Sequence, residues 1–479
     1  MKKNFTSTLV MFGLLVGLSA WYFLYEQKYR VTQKEAEDSQ KKLIALNADE
    51  VSEIKLEKLK NPPPENSSTP LSNPQYESIE IKKNGKDWFI TSPVQTAADS
   101  LAVGALVSAI CDAKQERIVE ENPKDISAYG LTYPLIKVSV RKDANTAFQE
   151  IDLGINTPVA YSVYTKVSNQ PSVFKSGRTL KSSVDKDLFA LRDKNILTIN
   201  RQDVKEVEIE STKESLVLSK DLASNKDNWS LSRENIPADS LEWSKTLTSL
   251  IELKATKVVS ETADRLAELG LSKPLAKITF NLTNQKKQIL LLGKSKDSLF
   301  AKREGLDTLF EVDKTLEEKV LTPSSQYRDK HLAKFDRYSI SKIKLETQKE
   351  SLELKKTSGD QWKLAADENS LIDSNQIDSL LTRLQDIQLT KYLSDKVKSS
   401  SSKPDIKISL FEKLDNTEKE VIQLVLSKGP QNSVKGTRNG LPLSFEISKD
   451  DFEKLNFSKQ TFLKQEDKNK EAEKPQKKS

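Results

Sequence analysis

Three tryptophans constrain this chain more than any other feature. Trp88, Trp229 and Trp362 stand 141 and 133 residues apart, and each holds the same place in a recurring succession of segments. Self-similarity at a long, steady period means that one supersecondary unit recurs, so the chain folds as an array of related units. Before each Trp come segments that alternate apolar and polar residues. These are Ile54-Lys55-Leu56 with Ile79-Glu80-Ile81, Val207-Glu208-Ile209 with Leu216-Val217-Leu218, and Ile343-Lys344-Leu345 with Leu352-Glu353-Leu354. A period of two belongs to half-buried antiparallel strands. Asp99, Asp239 and Asp373 follow the tryptophans at intervals of 11, 10 and 11 residues, and each opens a stretch of helical periodicity. An aspartate there caps a helix by accepting a hydrogen bond from a free backbone N–H. The spacing predicts helices over about 99–119, 239–259 and 373–393, with Leu106/Ile110, Leu247/Ile251 and Leu380/Leu384 on their apolar faces.

A connector after each helix leads into further strands. Copies one and two read Tyr129-Gly130-Leu131-Thr132-Tyr133-Pro134 and Leu269-Gly270-Leu271-Ser272-Lys273-Pro274. Glycine suits a left-handed turn after a helical segment, and proline favours extended backbone, which predicts strands over 136–140 and 276–280. Second turns at Leu153-Gly154 and Leu292-Gly293 lead into hairpins that end near Phe174 and Phe310. The third copy keeps Pro404, an apolar strand over 406–410 and Phe445, but has Ser399 to Ser402 in place of the first turn and Ser427 in place of the second glycine. It is the most divergent copy. The expected fold class is α+β: an N-terminal transmembrane helix, then three related repeats, each a mostly antiparallel sheet with one main helix. The expected divisions are 1–30 for the anchor and its flanks, 45–200, 201–336 and 337–465 for the repeats, and 466–479 for a disordered polar tail. The run from Asn61-Pro62-Pro63-Pro64 to Pro74 is expected as a loop inserted between two strands of copy one.

Ahead of the repeats, Phe5 to Tyr25 is a run of 21 residues without charge. At about 1.5 Å per residue, a helix of that length spans a hydrocarbon core of about 30 Å. Lys2 and Lys3 precede it, and Trp21, Tyr22 and Tyr25 would form an aromatic belt at its far end. The positive-inside rule then places the N-terminus in the cytoplasm and the bulk of the chain outside it. A cleavable signal peptide is the rival, with small residues at Gly17-Leu18-Ser19-Ala20, but the apolar run is longer than a usual signal core of about 7–15 residues.

Chemically active residues are scarce. The chain has one His (His331), one Cys (Cys111) and 14 Gly among 479 residues. A Ser-His-Asp triad or a multi-Cys/His metal centre would have to share the same two residues, and no metal or cofactor is expected. Lys plus Arg number 76 against 70 Asp plus Glu, interspersed, so no basic footprint for nucleic acid is present. The sequence lacks a phosphate-binding Gly-x-x-x-x-Gly-Lys-Ser/Thr loop; Gly293-Lys294-Ser295 imitates its end without the upstream glycine. It also lacks the dinucleotide fingerprint and the Gly-x-Ser-x-Gly elbow. Cys111 is expected in a helix core, and His331 in a polar connector as a surface or capping residue. Copies one and two close on Leu191-Arg192-Asp193-Lys194 and Tyr327-Arg328-Asp329-Lys330. Arg192/Asp193 and Arg328/Asp329 suggest an ion pair at a helix end, or else a site built from Arg and Asp. The neighbouring acids Glu120/Glu121, Glu261/Asp264 and Asp450/Asp451 would make a glycosidase pair only if folding set two of them across a cleft.

Tyr129-Gly130-Leu131 through Pro134, Leu153-Gly154-Ile155-Asn156-Thr157-Pro158 leading to Tyr161 and Tyr164, and Leu191-Arg192-Asp193-Lys194-Asn195-Ile196-Leu197 together resemble the bacterial family named domain of unknown function 4340. Copy two repeats much of the pattern at Gly270 to Pro274, Leu292-Gly293-Lys294-Ser295 and Tyr327 to Leu332. The resemblance covers most of residues 45–465. It implies a single-anchor protein of the cell envelope, associated with an ABC-type transport system of the gliding or auxiliary kind. The expected function is therefore that of a non-enzymatic protein of the bacterial cytoplasmic membrane. It would be an accessory or scaffold for a membrane complex with an ABC-type permease, touching the bilayer through residues 5–25. The alternative is a binding module for cell-wall or surface polysaccharide, using aromatics such as Tyr161, Tyr164 and Trp243.

Overall fold

A computed structural model describes residues 3–25, 41–62, 73–158, 162–223, 227–357, 360–367, 369–396, 403–414, 417–429 and 433–464. It contains three antiparallel sheets with a few helices. By compactness the chain divides into Met1–Asn195, which holds the first sheet, and Ile196–Ser479, which holds the other two. Most of the proline-rich loop, Tyr161, Ser399 to Ser402 and the tail over 466–479 lie outside the described residues.

In the first sheet the strands lie side by side in the order Thr96–Ala97, Asp87–Ser92, Tyr76–Asn84, Glu53–Leu59, Ile136–Arg141, Gln149–Asn156, Ser162–Val167, Val173–Gly177 and Arg117–Glu120. The chain starts in the middle, meanders to one edge, crosses through the helix Ser100–Cys111 to the opposite edge, and returns to the middle with Ile136–Arg141. The second sheet has the same nine-strand order around the central pair Val204–Ser211 and Ala276–Leu282, with its helix at Ser240–Ile251. The third has eight strands, lacks a counterpart of Thr96–Ala97, and carries the helix Ser374–Asp386. The alternating sequence dictates this layering. In Glu53–Leu59 the residues Ile54, Leu56 and Leu59 are buried while Lys55 and Glu57 face outward. Each helix then covers the apolar face, the first with Val103, Leu106, Val107 and Ile110. Trp88, Trp229 and Trp362 are buried beneath.

The three aspartates cap as expected. Asp99 Oδ1 accepts from the N–H groups of Leu101 and Ala102, both at 3.0 Å; Asp239 repeats this with Leu241 and Glu242, and Asp373 accepts from the Asn375 N–H at 3.0 Å. The helices are shorter than their periodicity predicts, ending at Cys111, Ile251 and Asp386. An edge strand comes next in every copy: Arg117–Glu120, Ala255–Ser260 and Lys391–Lys396, paired with the last strand of the hairpin. Ile118-Val119 and Val258-Val259 suit a strand, and pairing with a segment more than 50 residues away overrides a local helical pattern. The buried set on the second helix is Trp243, Thr246, Leu247 and Leu250, with Ile251 only half-buried.

The N-terminal helix runs from Lys3 to Tyr25, with side chains described from Leu9 onward. Among the described residues, no helix is long and apolar enough to cross a membrane.

Candidate functional site

The glycines of the two connectors belong to one contact. Gly130 and Gly270 have φ of +64° and +72°, as a left-handed turn requires. Each turn presses its backbone onto the strand that carries the second glycine. A Cβ on Gly130 would lie 2.7 Å from Ile155 Cγ2, and one on Gly270 would lie 2.5 Å from the Lys294 carbonyl oxygen. In return, a Cβ on Gly154 or Gly293 would strike the carbonyl oxygen of Tyr129 or Leu269. Leu131 and Leu271 plug the core beside these contacts. The pattern is a backbone-to-backbone lock, which explains why Ser427 replaces the second glycine in the same copy that has serines in place of the first. Lys294, in the stretch that imitates a phosphate-binding loop, ends the strand Lys287–Ser295 and pairs with Glu317 at 2.7 Å.

The Arg-Asp segments close their copies by bridging to the residue before the helix cap, Ala98 to Arg192 and Ala238 to Arg328. In copy two Arg328 and Asp329 take different partners. Asp193 accepts from the Asn195 backbone N–H at 3.0 Å and from its amide at 2.8 Å. Asp329 makes the same turn with His331, accepting from its backbone N–H at 3.2 Å and lying 2.6 Å from Nδ1. Its carboxylate is buried and also receives Lys334 Nζ at 2.9 Å. Arg328 turns instead to Glu234, its Nη2 donating to Oε1 at 2.9 Å.

The third copy fastens this segment from its side. Tyr392 donates its hydroxyl to the Asp329 carbonyl at 2.6 Å, and Arg438 Nη1 donates to the Leu332 carbonyl at 2.7 Å. Burial, helped by the Asp329 charge, pushes the Tyr392 phenol up to about 12, and burial lowers Arg438. This is a dense polar cluster in which Tyr392 and Arg438 bond to backbone carbonyls of the closing segment, and it joins copy two to copy three. The sequence pointed to Arg328, Asp329 and His331; it carried no signal for Tyr392 or Arg438, which come from strands 60 to 110 residues further on.

The remaining candidates also serve local structure. Cys111 is buried, and burial pushes its thiol up to about 11. Glu120 accepts from the Tyr129 hydroxyl at 2.7 Å, Asp264 from Ser260 at 3.2 Å, and Asp451 from Ser448 at 2.7 Å with Lys454 also at 2.7 Å. Trp243 is fully buried, in edge contact with Trp229 and Tyr327, so it offers no platform for a sugar ring. Tyr164 is half-buried against Tyr129 with ring centroids 5.0 Å apart. Among the described residues, no group of three or more His, Cys, Asp or Glu could hold a metal ion.

One sheet unit of constant strand order, recurring three times and locked by paired glycines in its first two copies, defines an α+β repeat array. The chain belongs to the family described as domain of unknown function (DUF4340), whose model matches residues 88–234 and 229–405. The matches start at Trp88 and Trp229 and are offset from the sheets: the span 88–234 omits Glu53–Leu59 and Tyr76–Asn84 of the first sheet and takes in strands of the second. No curated protein and no solved structure matches the chain.

Proposed function

We propose that this protein is a non-enzymatic, membrane-anchored envelope protein that acts as an accessory or scaffold of a membrane transport complex. The observation behind this reading is the surface of the N-terminal helix. From Leu9 to Tyr25, every large apolar side chain is exposed, between 49% and 70%. An apolar surface on all sides of a helix needs a cover, and a lipid bilayer is the cover that suits a helix with its backbone hydrogen bonds closed internally. The described side chains cover Leu9–Tyr25; with the uncharged run from Phe5 added, the 23 residues of Lys3–Tyr25 measure about 34 Å, comparable with a bilayer core of about 30 Å. Trp21 and Tyr25 stack at 5.4 Å at the far end, where an aromatic belt is expected. In this orientation the N-terminus is cytoplasmic and the sheets stand on the other side of the membrane.

The partner in this proposal is an ABC-type permease, a choice that rests on the family resemblance. Docking by strand addition is disfavoured, because the sheet edges are blunted. The last edge strand of each copy carries a register break, and on the opposite edges the strands are two or three residues long. Faces and corners are better suited. Leu101, Leu241 and Leu371 are 87%, 65% and 70% exposed, each beside the capped end of its copy's helix.

Alkaline extraction of native membranes tests the anchor, and crosslinking in intact membranes followed by affinity purification tests the scaffold. Retention in the membrane pellet, lost on Leu14→Arg with Leu15→Arg, is expected, together with recovery of permease subunits. A chain released by alkali, or crosslinks to no membrane protein, would refute the reading.

A further inference from the structure

We propose that copy two carries a binding groove for an acidic polysaccharide strand, lying between its main helix Ser240–Ile251 and the segment Thr315–Tyr327. This inference does not rest on the anchor. It starts from a difference between copies. The main helices align on their capping aspartates, so Leu106, Thr246 and Leu380 are equivalent, and the closing residues opposite them are Leu191, Tyr327 and Phe462. In copies one and three this contact is apolar. In copy two it is a buried polar pair, with the Thr246 and Tyr327 hydroxyls 3.1 Å apart and the Tyr327 hydroxyl also 3.1 Å from the Lys319 carbonyl. Copy one fills the adjacent space with the short helix Leu188–Leu191, whose Leu188 packs on the core. Copy two replaces that helix with a tight turn after Pro323, held by the Glu214 carboxylate, which accepts from the Ser324 N–H and hydroxyl.

The smaller turn leaves a cavity of about 530 Å³ above the Thr246–Tyr327 floor, which runs past Thr322 and Gln326 into a second of about 590 Å³. Each is of the size that holds a small ligand. The lining suits sugar hydroxyls: Ser244, Thr248, Ser249, Thr322 and Gln326 offer oxygens and an amide along its length. A hydroxyl that donates within the protein still has lone pairs to accept from a ligand, and each lysine ammonium has three donors. Lys319 gives one of its donors to Ser249, and Lys245 gives one to Glu242. The charge favours acid groups on the strand. Lys213 and Lys314 are exposed on the walls and Lys319 lies between them and the main helix, against one exposed carboxylate, Glu318, while Glu242 is paired with Lys245 and Glu317 with Lys294. A peptide partner is the poorer fit, because a peptide anchor needs an enclosed apolar or aromatic pocket. The apolar lining here is Leu241, Leu321 and Pro323, with the buried Tyr327 as the only aromatic ring.

Calorimetric titration of the full chain in detergent micelles with oligogalacturonate, with a neutral glucan oligomer of equal length and with a poly-glutamate peptide tests the proposal. Oligogalacturonate is expected to bind at least tenfold more tightly than either competitor. Lys213→Glu with Lys314→Glu, both exposed, is expected to weaken it at least tenfold, whereas Lys124→Glu with Lys186→Glu in copy one leaves it unchanged. Equal or tighter binding of poly-glutamate would make the groove a peptide site and overturn the proposal. Equal binding of the neutral glucan, no binding of any probe at millimolar concentration, or indifference to the copy-two charge reversal would overturn it as well.

Discussion

Gly293→Ala is the substitution that probes the repeat most sharply. The methyl group would lie 2.7 Å from the Gly270 carbonyl carbon and 2.8 Å from the Leu271 nitrogen, with the Leu269 carbonyl oxygen nearer still. Non-bonded carbon contacts settle at about 3.5–4.0 Å, so the turn must retreat by about 0.8 Å or more. It has little freedom to do so. The Leu271 N–H is held by the Leu266 carbonyl at 2.8 Å, and Leu269 and Leu271 are each 3% exposed. Overpacking against yielding side chains costs about 1–3 kcal/mol, and a clash with three backbone groups belongs at the upper end, about 3 kcal/mol. Gly104→Ala is the control. It sits in the helix Ser100–Cys111 with nothing within 4 Å of the added carbon. Alanine there should stabilise by about 0.5–1 kcal/mol. Both substitutions restrict the unfolded chain equally, so the difference of about 4 kcal/mol between them isolates the close approach. Hydrogen exchange read by peptide mass spectrometry reports each copy separately. Gly293→Ala should accelerate exchange in Ala276–Leu282 and Lys287–Ser295 and leave the first sheet unchanged. If it exchanges like the wild type, or matches Gly104→Ala in sign, the backbone lock is not what these glycines provide.

The same geometry sets further outcomes. A fragment 41–195 should fold with cooperative unfolding and strand-rich circular dichroism, whereas 88–234, which lacks Glu53–Leu59 from the middle of its sheet, should not; a folded 88–234 would contradict the strand order. His331→Asn should change stability by less than about 1 kcal/mol, since Asn195 makes the equivalent turn in copy one. Asp329→Ala should cost about 2–3 kcal/mol in denaturant titration by leaving the joint's cations facing an empty position. Burial raises the Asp152 carboxyl above the ordinary range, against the pull of Lys137 and Lys166. A carboxyl raised in the folded state favours folding only while protonated, so that contribution is lost as pH climbs out of the acid range near about 4. Asp152→Asn should therefore stabilise the first unit at neutral pH and have no effect at pH values below that range, as thermal melts at two pH values would show. The Cys111 thiol, buried and pushed up to about 11, should resist alkylation at pH 8 in the native chain and react once denatured.

Much of the architecture is legible in sequence because it is local. Alternation marks which side of a strand meets the core, an aspartate before a helix satisfies N–H groups two and three residues away, and a glycine announces a left-handed turn. These relations reach a few residues along the chain and recur with each copy, so the tryptophan spacing alone reveals three units. The joint was half legible: Arg328, Asp329 and His331 stand together in sequence, while Tyr392 and Arg438 reach them only through the pairing of distant strands. The helices end before their periodicity does for the same reason, since Arg117–Glu120 becomes a strand only by pairing with Val173–Gly177.

By itself, the sequence determined the copy number, the α+β class, the capped helices and the family. Tertiary structure alone decided which glycines touch, that Arg328 and Asp329 part company, that Trp243 is interior, and that Thr246 and Tyr327 meet beneath a groove found in copy two. The physical reason is range. Patterning within a strand or a turn is set by neighbours along the chain, whereas contacts between elements depend on the order in which strands lie side by side, and nine strands of similar alternation look alike until the sheet has formed.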